Sequence, residues 1–474
     1  MIVEFQARSV DRLLAISATV CFLGLAGCAL KAPNRPSLSM PETFMGQAAD
    51  ARGAWPSKDW YRAFGSSELD ALVAQAAGGN LDLSAARARV AQADARARQA
   101  GAAILPHVDA GADTSFFAGH SHAGSARETD WAALFSASYE VDFWGKNRAA
   151  VSAAKLLDAA ARADRDTLAL TTLAGVANGY FEVLALRERL KNALANRDAA
   201  RGLLEVVEAR YKVGRADPVD LAAQRALLAA AELNIPDLRQ REQEALAALA
   251  VLVGRPPEGF KIDGVPLDSL AAPGVAPGLP SELLLRRPDL YMAEANLGAA
   301  EADLVVARAA LFPDLSLTAA AGIQNPAVQA AVVTLSGTGP TVNLGAGLMQ
   351  SIFDRGRLRA VRAEVQARDE ELLATYRSAI LAALVDVETT LAAIRHLDEM
   401  RDFEAENLTQ SERALAGAEA RYERGAADYL TVLEAQRVLY AARDQYSQFR
   451  LARLQSLVGL CKALGGGWQT GSEG

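Results

Sequence analysis

The sequence predicts a mainly α, internally duplicated chain, each copy reading helix, strand pair, long helix, turn and returning helix. Three observations carry this. Pro106 and Pro313 close two similar helical stretches 207 positions apart (313 − 106), and Arg210-Tyr211-x-x-Gly214-x-Ala216-Asp217 recurs as Arg421-Tyr422-x-x-Gly425-x-Ala427-Asp428 at an offset of 211 (421 − 210). Two spaced matches at nearly one offset mark a repeat. Residues 147–212 and 357–423 contain no proline. Runs that follow the paired prolines alternate apolar and polar with a period of two, the strand pattern.

The N-terminus reads as a targeting segment. Arg8 and Arg12 precede an apolar run over 13–25, too short to span a bilayer as a mature helix. The run ends Leu25-Ala26-Gly27-Cys28, which resembles a bacterial lipobox. That resemblance implies a signal peptide over 1–27, cleavage after Gly27, and N-acyl and diacylglycerol lipid on Cys28, each buried CH₂ contributing about 0.8 kcal/mol. Ala29 follows, where an Asp would signal inner-membrane retention. The other reading is an ordinary secretory leader with an incidental cysteine. Cys21 leaves with the leader and Cys28 is acylated, so Cys461 stands alone and the mature chain has no internal disulfide. No later segment reads as a transmembrane helix of ~20 apolar residues.

Residues 28–65, with Pro33, Pro36, Pro41 and Pro56, read as an extended N-terminal segment. The first repeat occupies 66–253. Asn80-Leu81-Asp82-Leu83 opens a helix that runs to Leu105-Pro106, and a strand pair covers about 107–143. Its strands alternate through Val108, Ala110, Ala112, Thr114 and Phe116, then through the odd positions from Trp131 to Phe143, with a loop expected over 118–129. The long helix after Gly145 ends near Gly214, where the chain turns back. Residues 254–280, rich in Gly and Pro, link the copies. The second repeat occupies 281–464: Arg287-Pro288-Asp289-Leu290 opens its first helix and a strand pair covers about 314–352. Leu315, Leu317, Ala319 and Ala321 alternate, as do Val342, Leu344, Ala346 and Leu348, around a loop over 324–340. A second long helix follows Gly356 and turns near Gly425, and 465–474 form a short tail. Sixty-odd helical residues at ~1.5 Å each extend about 100 Å, a length used by coiled coils and not by globular domains.

Four amphipathic strands cannot close a membrane barrel alone, because small barrels need about eight and open edges are not tolerated in lipid. If the strands sit in lipid, the chain must borrow strands from copies of itself. Three copies would supply twelve, enough for a water-filled interior. The alternative is a soluble sheet packed on the helices.

Several motifs together resemble one family, the outer membrane factors (TolC-type channels), in the lipoprotein branch serving resistance-nodulation-division pumps. They are Trp60-Tyr61-x-x-Phe64, Asn80-Leu81-Asp82-Leu83, Tyr139-Glu140-Val141-Asp142-Phe143-Trp144-Gly145-Lys146, and Arg287-Pro288-Asp289-Leu290 with Ala293-Glu294-Ala295. Then come Ala307-Arg308-Ala309-x-Leu311-Phe312-Pro313, Phe353-Asp354-Arg355-Gly356-Arg357 and Tyr429-Leu430-Thr431-Val432-Leu433-Glu434-Ala435-Gln436-Arg437. The resemblance implies a homotrimer with a twelve-stranded β-barrel in outer-membrane lipid and a coiled-coil α-barrel in the periplasm. The termini and central linker would form an equatorial belt. A periplasmic adaptor and an inner-membrane resistance-nodulation-division transporter would complete a tripartite efflux system, with solute leaving through a passive duct. The other functions in view are the duct of a type I protein-secretion system and a lipid-anchored periplasmic coiled-coil scaffold without a pore.

By the same motifs, Leu430, Glu434 and Arg437 match positions that line the family's closed periplasmic aperture, and Tyr422 and Asp428 match positions that tie neighbouring helices. The first three share one helix face by their spacing of four and three, and rings of such side chains gate by width and charge. The family often has Asp where Glu434 stands, which alters reach. An ordinary solvated i,i+3 pair is the alternative for Glu434 and Arg437. At the helix-turn tips, Gly214 and Gly425 suit a chain leaving one helix for another, and the tips would also touch the adaptor. Pro218 fits the first turn of a helix, and Asp217 and Asp220 read as an N-cap and a first-turn acid rather than gate residues.

Other chemistry is thinly represented. His120-x-His122 lacks carboxylate or cysteine support for a metal, so an exposed loop is the better reading. Trp131, Tyr139, Phe143 and Trp144 read as membrane-interface aromatics or as packing at the foot of the barrel. The sequence has no Gly-x-Ser-x-Gly, Walker or His-Glu-x-x-His motif and only four histidines, so neither an enzyme nor a cofactor beyond the lipid is expected. A net charge of −8 argues against a nucleic-acid partner.

Overall fold

The computed structural model describes residues 40–45, 55–121, 124–275, 278–324 and 339–469. Cys28 with its leader, His122 and most of the N-terminal extended segment lie outside the described residues, as does the side chain of His120. The helices are α1 (Ser67–Gly79), α2 (Leu81–Ala102), α3 (Lys146–Lys212), α4 (Pro218–Leu252), α5 (Pro288–Ala309), α6 (Arg357–Glu423) and α7 (Tyr429–Ala463). The strands are β1 (His107–Ser121), β2 (Gly124–Val141), β3 (Asp314–Gln324) and β4 (Gly339–Met349). The duplication is regular: α3 and α6 each have 67 residues, α4 and α7 each have 35, and α2 and α5 each have 22. The offset changes from 207 to 211 across the strand pair, so the four extra residues of the second copy lie between Pro313 and Gly356.

The four strands form one antiparallel sheet in the order β1-β2-β3-β4. Its register decides what each face is made of. Val108 faces Ala137 and Ala110 faces Phe135; Phe135 then faces Ala321 and Tyr139 faces Leu317; Ala319 faces Leu344 and Leu315 faces Leu348. The four period-two patterns thus fall on one side. The other side carries Asp109, Asp113, Ser136, Ser138, Ser316, Thr318, Asn343, Gly345 and Gly347, with Leu134 as an apolar exception. The apolar side is bare: Leu344 is 82% exposed, Val342 73% and Phe135 67%. A soluble sheet packed on helices would bury this face, so that alternative fails. One strand corrects the sequence reading. Residues 118–121 and 124–129, expected as loop, continue the β1–β2 hairpin up to the Ser121↔Gly124 pair. Gly and Ser are poor strand formers, but ladder pairing carries them.

Below the sheet the copies are pinned at matching points by different chemistry. Asn80 caps α2 by accepting from Leu83 N at 2.9 Å, and its amide donates to Leu252 O at the end of α4, also at 2.9 Å. At the corresponding place Arg287 donates to Ala463 O at the end of α7 at 3.0 Å. It is braced by Asp289 at 2.7 Å and Asp386 at 3.1 Å. Burial disfavours the charge of Arg287, yet these carboxylates hold its pKa above the ordinary value. Packing is so close here that a Cβ on Gly254 would lie 2.0 Å from Gly79 O, and one on Gly465 1.9 Å from Arg286 O. The core beside these pins contains Trp60, Phe64, Tyr180, Phe181, Leu249 and Val458. The central linker is strapped onto it: Glu68 accepts from Asp263 N and Gly264 N at 2.6 and 2.8 Å. One stretch of α3 is long and apolar enough to cross a membrane, contrary to expectation, but half of it is buried among these helices. Cys461 is buried there too, and burial pushes its thiol up to about 12.

Where strand meets helix, Trp144 stacks on Phe312 at 4.6 Å and donates to Pro313 O at 2.8 Å. Trp144 therefore packs the foot of the sheet, whereas Trp131 and Tyr139 lie on the apolar face. Asp142 accepts from Asn147 N and Arg148 N at 3.0 and 2.9 Å, supplying the cap that Gly145 cannot. The side-by-side packing of the helices leaves the molecule open at its flanks. α3 packs against α2, α4, α5 and α7, and α6 packs against α5 and α7. The elements with an unfilled flank are β1, α2 and α4 from the first copy and β4 and α6 from the second.

The exposed apolar face predicts an asymmetric response to charge. Leu344→Arg should cost roughly 2–4 kcal/mol at mid-bilayer depth and strongly reduce the yield of membrane-inserted protein. Asn343→Arg, one residue away on the polar side, should be tolerated. Equal membrane yields for the two variants would contradict the assignment of faces.

Candidate functional site

The two turns at the far ends of the long helices form the candidate site. Both close the same way. Gly214 and Gly425 each have φ of +72°, which suits glycine, and each donates three residues back, to Tyr211 O and Tyr422 O at 3.0 Å. Arg215 N and Ala426 N then reach back to Arg210 O and Arg421 O, both at 2.8 Å. This is the Schellman closure, which satisfies carbonyls the helix leaves unpaired. The returning helices start differently. Asp217 accepts from Val219 N at 2.8 Å, Asp220 reaches back to Asp217 N, and Pro218 sits in the first turn, so α4 has a full capping box. Asp428 caps α7 through Thr431 N at 3.0 Å, and the Thr431 hydroxyl and amide hold its carboxyl below the usual carboxylate value. Asp428 thus caps its own helix, and among the described residues its partner is Thr431.

Tyr422 does join the copies. It is buried, the Arg210 guanidinium lies 3.9 Å above its ring, and Arg210 donates to Tyr422 O at 3.1 Å. Tyr429 lies edge-on to it at 5.9 Å and donates its hydroxyl to Gln224 Oε1. Burial, then Asp220 and Tyr422, raises the Tyr429 pKa. Gln224 is itself wholly buried and donates to Ala200 O at 2.7 Å. Arg210 and Gln224 therefore cross-link the first turn to the second. Neither was a candidate from the sequence; the visible clues were Arg210 in the repeated motif and a polar Gln224 among apolar helix positions.

Leu430, Glu434 and Arg437 stand on one exposed stripe at the start of α7, and Leu430 is 66% exposed. Glu434 and Arg437 form no ion pair with each other or with another described residue, so the solvated i,i+3 pair is not made. Arg437 lines a cleft of about 320 Å³ between α3, α4 and α7, with Arg189, Asn196, Tyr440 and Asp444. Arg189 and Asp444 are paired at 2.6 Å, which leaves Arg437 as a free cation at the mouth among the described residues. On α6, burial and the neighbouring Glu423 raise the Glu419 pKa. The described residues hold no cluster suited to a metal ion.

The family model described as outer membrane efflux protein matches the chain over residues 72–255 and again over 279–466. The pyoverdine export outer membrane protein OpmQ of Pseudomonas aeruginosa is 45% identical, the alignment covering 98% of this chain and 99% of that protein. The toluene efflux pump outer membrane protein TtgF of Pseudomonas putida is 31% identical over 86% of this chain and 85% of its own length. Among solved structures, the outer-membrane channel OprN superposes with a TM-score of 0.86 at 27% identity, covering 93% of this chain and all of that one.

The Arg210–Tyr422 contact predicts a local effect. Arg210→Ala removes a cation–π contact and a charged hydrogen bond, together worth about 1–2 kcal/mol. Amide exchange over residues 420–428 should quicken about tenfold while the amides around Tyr180 stay unchanged. Unchanged exchange at the second turn would remove Arg210 as a cross-link.

Proposed function

Because this chain belongs to the outer membrane efflux protein family, we propose that three copies of it assemble as the passive exit duct of a tripartite pump. As an outer-membrane efflux channel it carries out no chemistry; its task is to hold a water-filled path open through lipid and to close it when idle. The observation that carries the trimer is the sheet. It has one predominantly apolar, uncovered face and two open edges, and three such sheets joined edge to edge give twelve strands and no edge. Strands β3 and β4, of 11 residues each, extend about 36 Å, and a tilt near 40° brings this to about 28 Å, the height of a bilayer's apolar band. The inward face, rich in Ser, Thr, Asn and Gly, would leave the lumen wet and wide.

The same closure joins the helices. α6 of one copy meets the α2 and α4 flank of the next, producing a helical barrel that continues the duct below the membrane. Lipid on Cys28 anchors the assembly from the periplasmic side. The narrow end lies at the two turns, where Leu430, Glu434 and Arg437 from three copies form rings around the axis. A free carboxylate and a free guanidinium on each stripe suit contacts between copies that break when the end widens. A periplasmic adaptor engages the turns, and a resistance-nodulation-division transporter in the inner membrane supplies the solute.

The cargo is a small molecule. The relative at 45% identity is named for pyoverdine export and another, at 31%, for toluene efflux. One architecture therefore serves solutes of unlike polarity, as expected of a duct whose selectivity resides in the pump. A siderophore-sized metabolite fits the first of these relatives. The protein-secretion alternative has no supporting observation here.

Two measurements test this reading. In planar bilayers, Glu434→Ala with Arg437→Ala should raise resting conductance several-fold over the native channel; a folded assembly with unchanged conductance would remove them from the aperture. In cells fed labelled palmitate, Cys28→Ser should abolish incorporation, and label retained on the variant would place the lipid elsewhere.

A further inference from the structure

The core beneath the second turn contains a polar side chain that none of the described residues satisfies. Gln436 is 0% exposed, and neither its Nε2 nor its Oε1 has a hydrogen-bond partner among the described residues. It occupies the stripe Tyr429, Val432, Gln436, Leu439 on α7, spaced three, four and three, which is the seam of a coiled coil. Tyr429, Val432 and Leu439 are each buried in one apolar cluster with Val207 of α3 and with Leu415, Ala418 and Tyr422 of α6. Gln436 is wholly covered within one chain, so a neighbouring copy cannot reach its amide. The contrast with Gln224 is direct. That amide is equally buried, yet both its ends are used, by Ala200 O and by the Tyr429 hydroxyl.

We propose that Gln436 is a positioning residue for gating: its unpaired amide keeps α7 loosely committed to its packing against α3 and α6, so that α7 exchanges readily between two arrangements. Gln224 holds the two copies together; Gln436 prevents the second from settling. An amide buried without a partner weakens a packed arrangement roughly 5- to 150-fold relative to an apolar residue of the same shape. Any arrangement that lets water or a carbonyl reach Gln436 recovers that factor. A polar residue at a coiled-coil seam commonly fixes register through a partner. Without one, it biases a two-state element instead. The stripe Leu430, Glu434 and Arg437 belongs to the same helix, so movement of α7 is movement of the aperture. This inference rests on that aperture reading.

The test uses the full-length trimer in planar bilayers, with Gln436→Met as the near-isosteric apolar variant and Gln436→Asn as the variant that keeps the amide. The Met variant should switch between conductance levels about tenfold more slowly than the native channel and should melt at a higher temperature. The Asn variant should melt lower, because it leaves a void, yet switch at least as fast. Gln224→Leu should melt lower as well, since it strands the Tyr429 hydroxyl and the Ala200 carbonyl. A Met variant that melts lower, or that switches at the native rate, would overturn the role of Gln436. Such a result would leave the aperture intact, because the Glu434 and Arg437 variants report on it separately.

Discussion

The structure depends on one unsatisfied surface, the apolar face of a four-stranded sheet whose outer strands offer unpaired backbone groups. In water that face would aggregate, and in lipid the edges would each cost several kcal/mol per unpaired group. Only closure on further copies removes both penalties. The rest of the chain accommodates this demand. The helices leave open flanks on the same repeats that supply β1 and β4, so the proposed closure that would satisfy the strands would also complete the helical wall. The two long helices differ in this respect: α3 is buried along much of its length among its own chain's helices, whereas α6 presents a longer exposed flank.

Duplication makes that arrangement economical, and the copies differ at the equator and at the turns. At the equator, Asn80 and Arg287 perform one task, tying a new helix to the end of a returning one. Each does so with its own chemistry, an amide in the first copy and a braced guanidinium in the second. At the turns the divergence is larger. The first copy starts α4 with a proline and a capping box; the second starts α7 with a single aspartate cap and an exposed Leu430, Glu434 and Arg437 stripe. This difference in capping accords with the proposed division between a wall that frames the duct and a helix that narrows it. Arg210 and Tyr429 couple the two, so movement of one turn is resisted by the other.

Much of this was legible in the sequence because it is local. The helix start at Asn80, the cap at Asp217, the glycine turns at Gly214 and Gly425, and the period-two strands all follow from short-range rules. The strand ends over 118–121 and 124–129 were not legible, since their Gly and Ser residues read as loop and only the partner strand makes them ladder. Arg210 and Gln224 were missed for a related reason. Their partners lie in the other copy, some two hundred residues away, and no local pattern reports such a contact. The cap that Asp428 supplies to its own helix was not read from the sequence, where the family motif directed attention to contacts between helices.

The central claim is that β1 of one copy pairs with β4 of another, around a ring of three. Cysteines introduced singly along β1, at Val108, Ala110 and Ala112, can be combined in one chain with cysteines at Leu344, Ala346 and Leu348 of β4, and the protein oxidised in its native membrane. The account predicts that matched pairs yield a ladder of cross-linked species that ends at three chains, while either cysteine alone yields at most dimers. A ladder that continues past three, or matched pairs that leave only monomers, would contradict it.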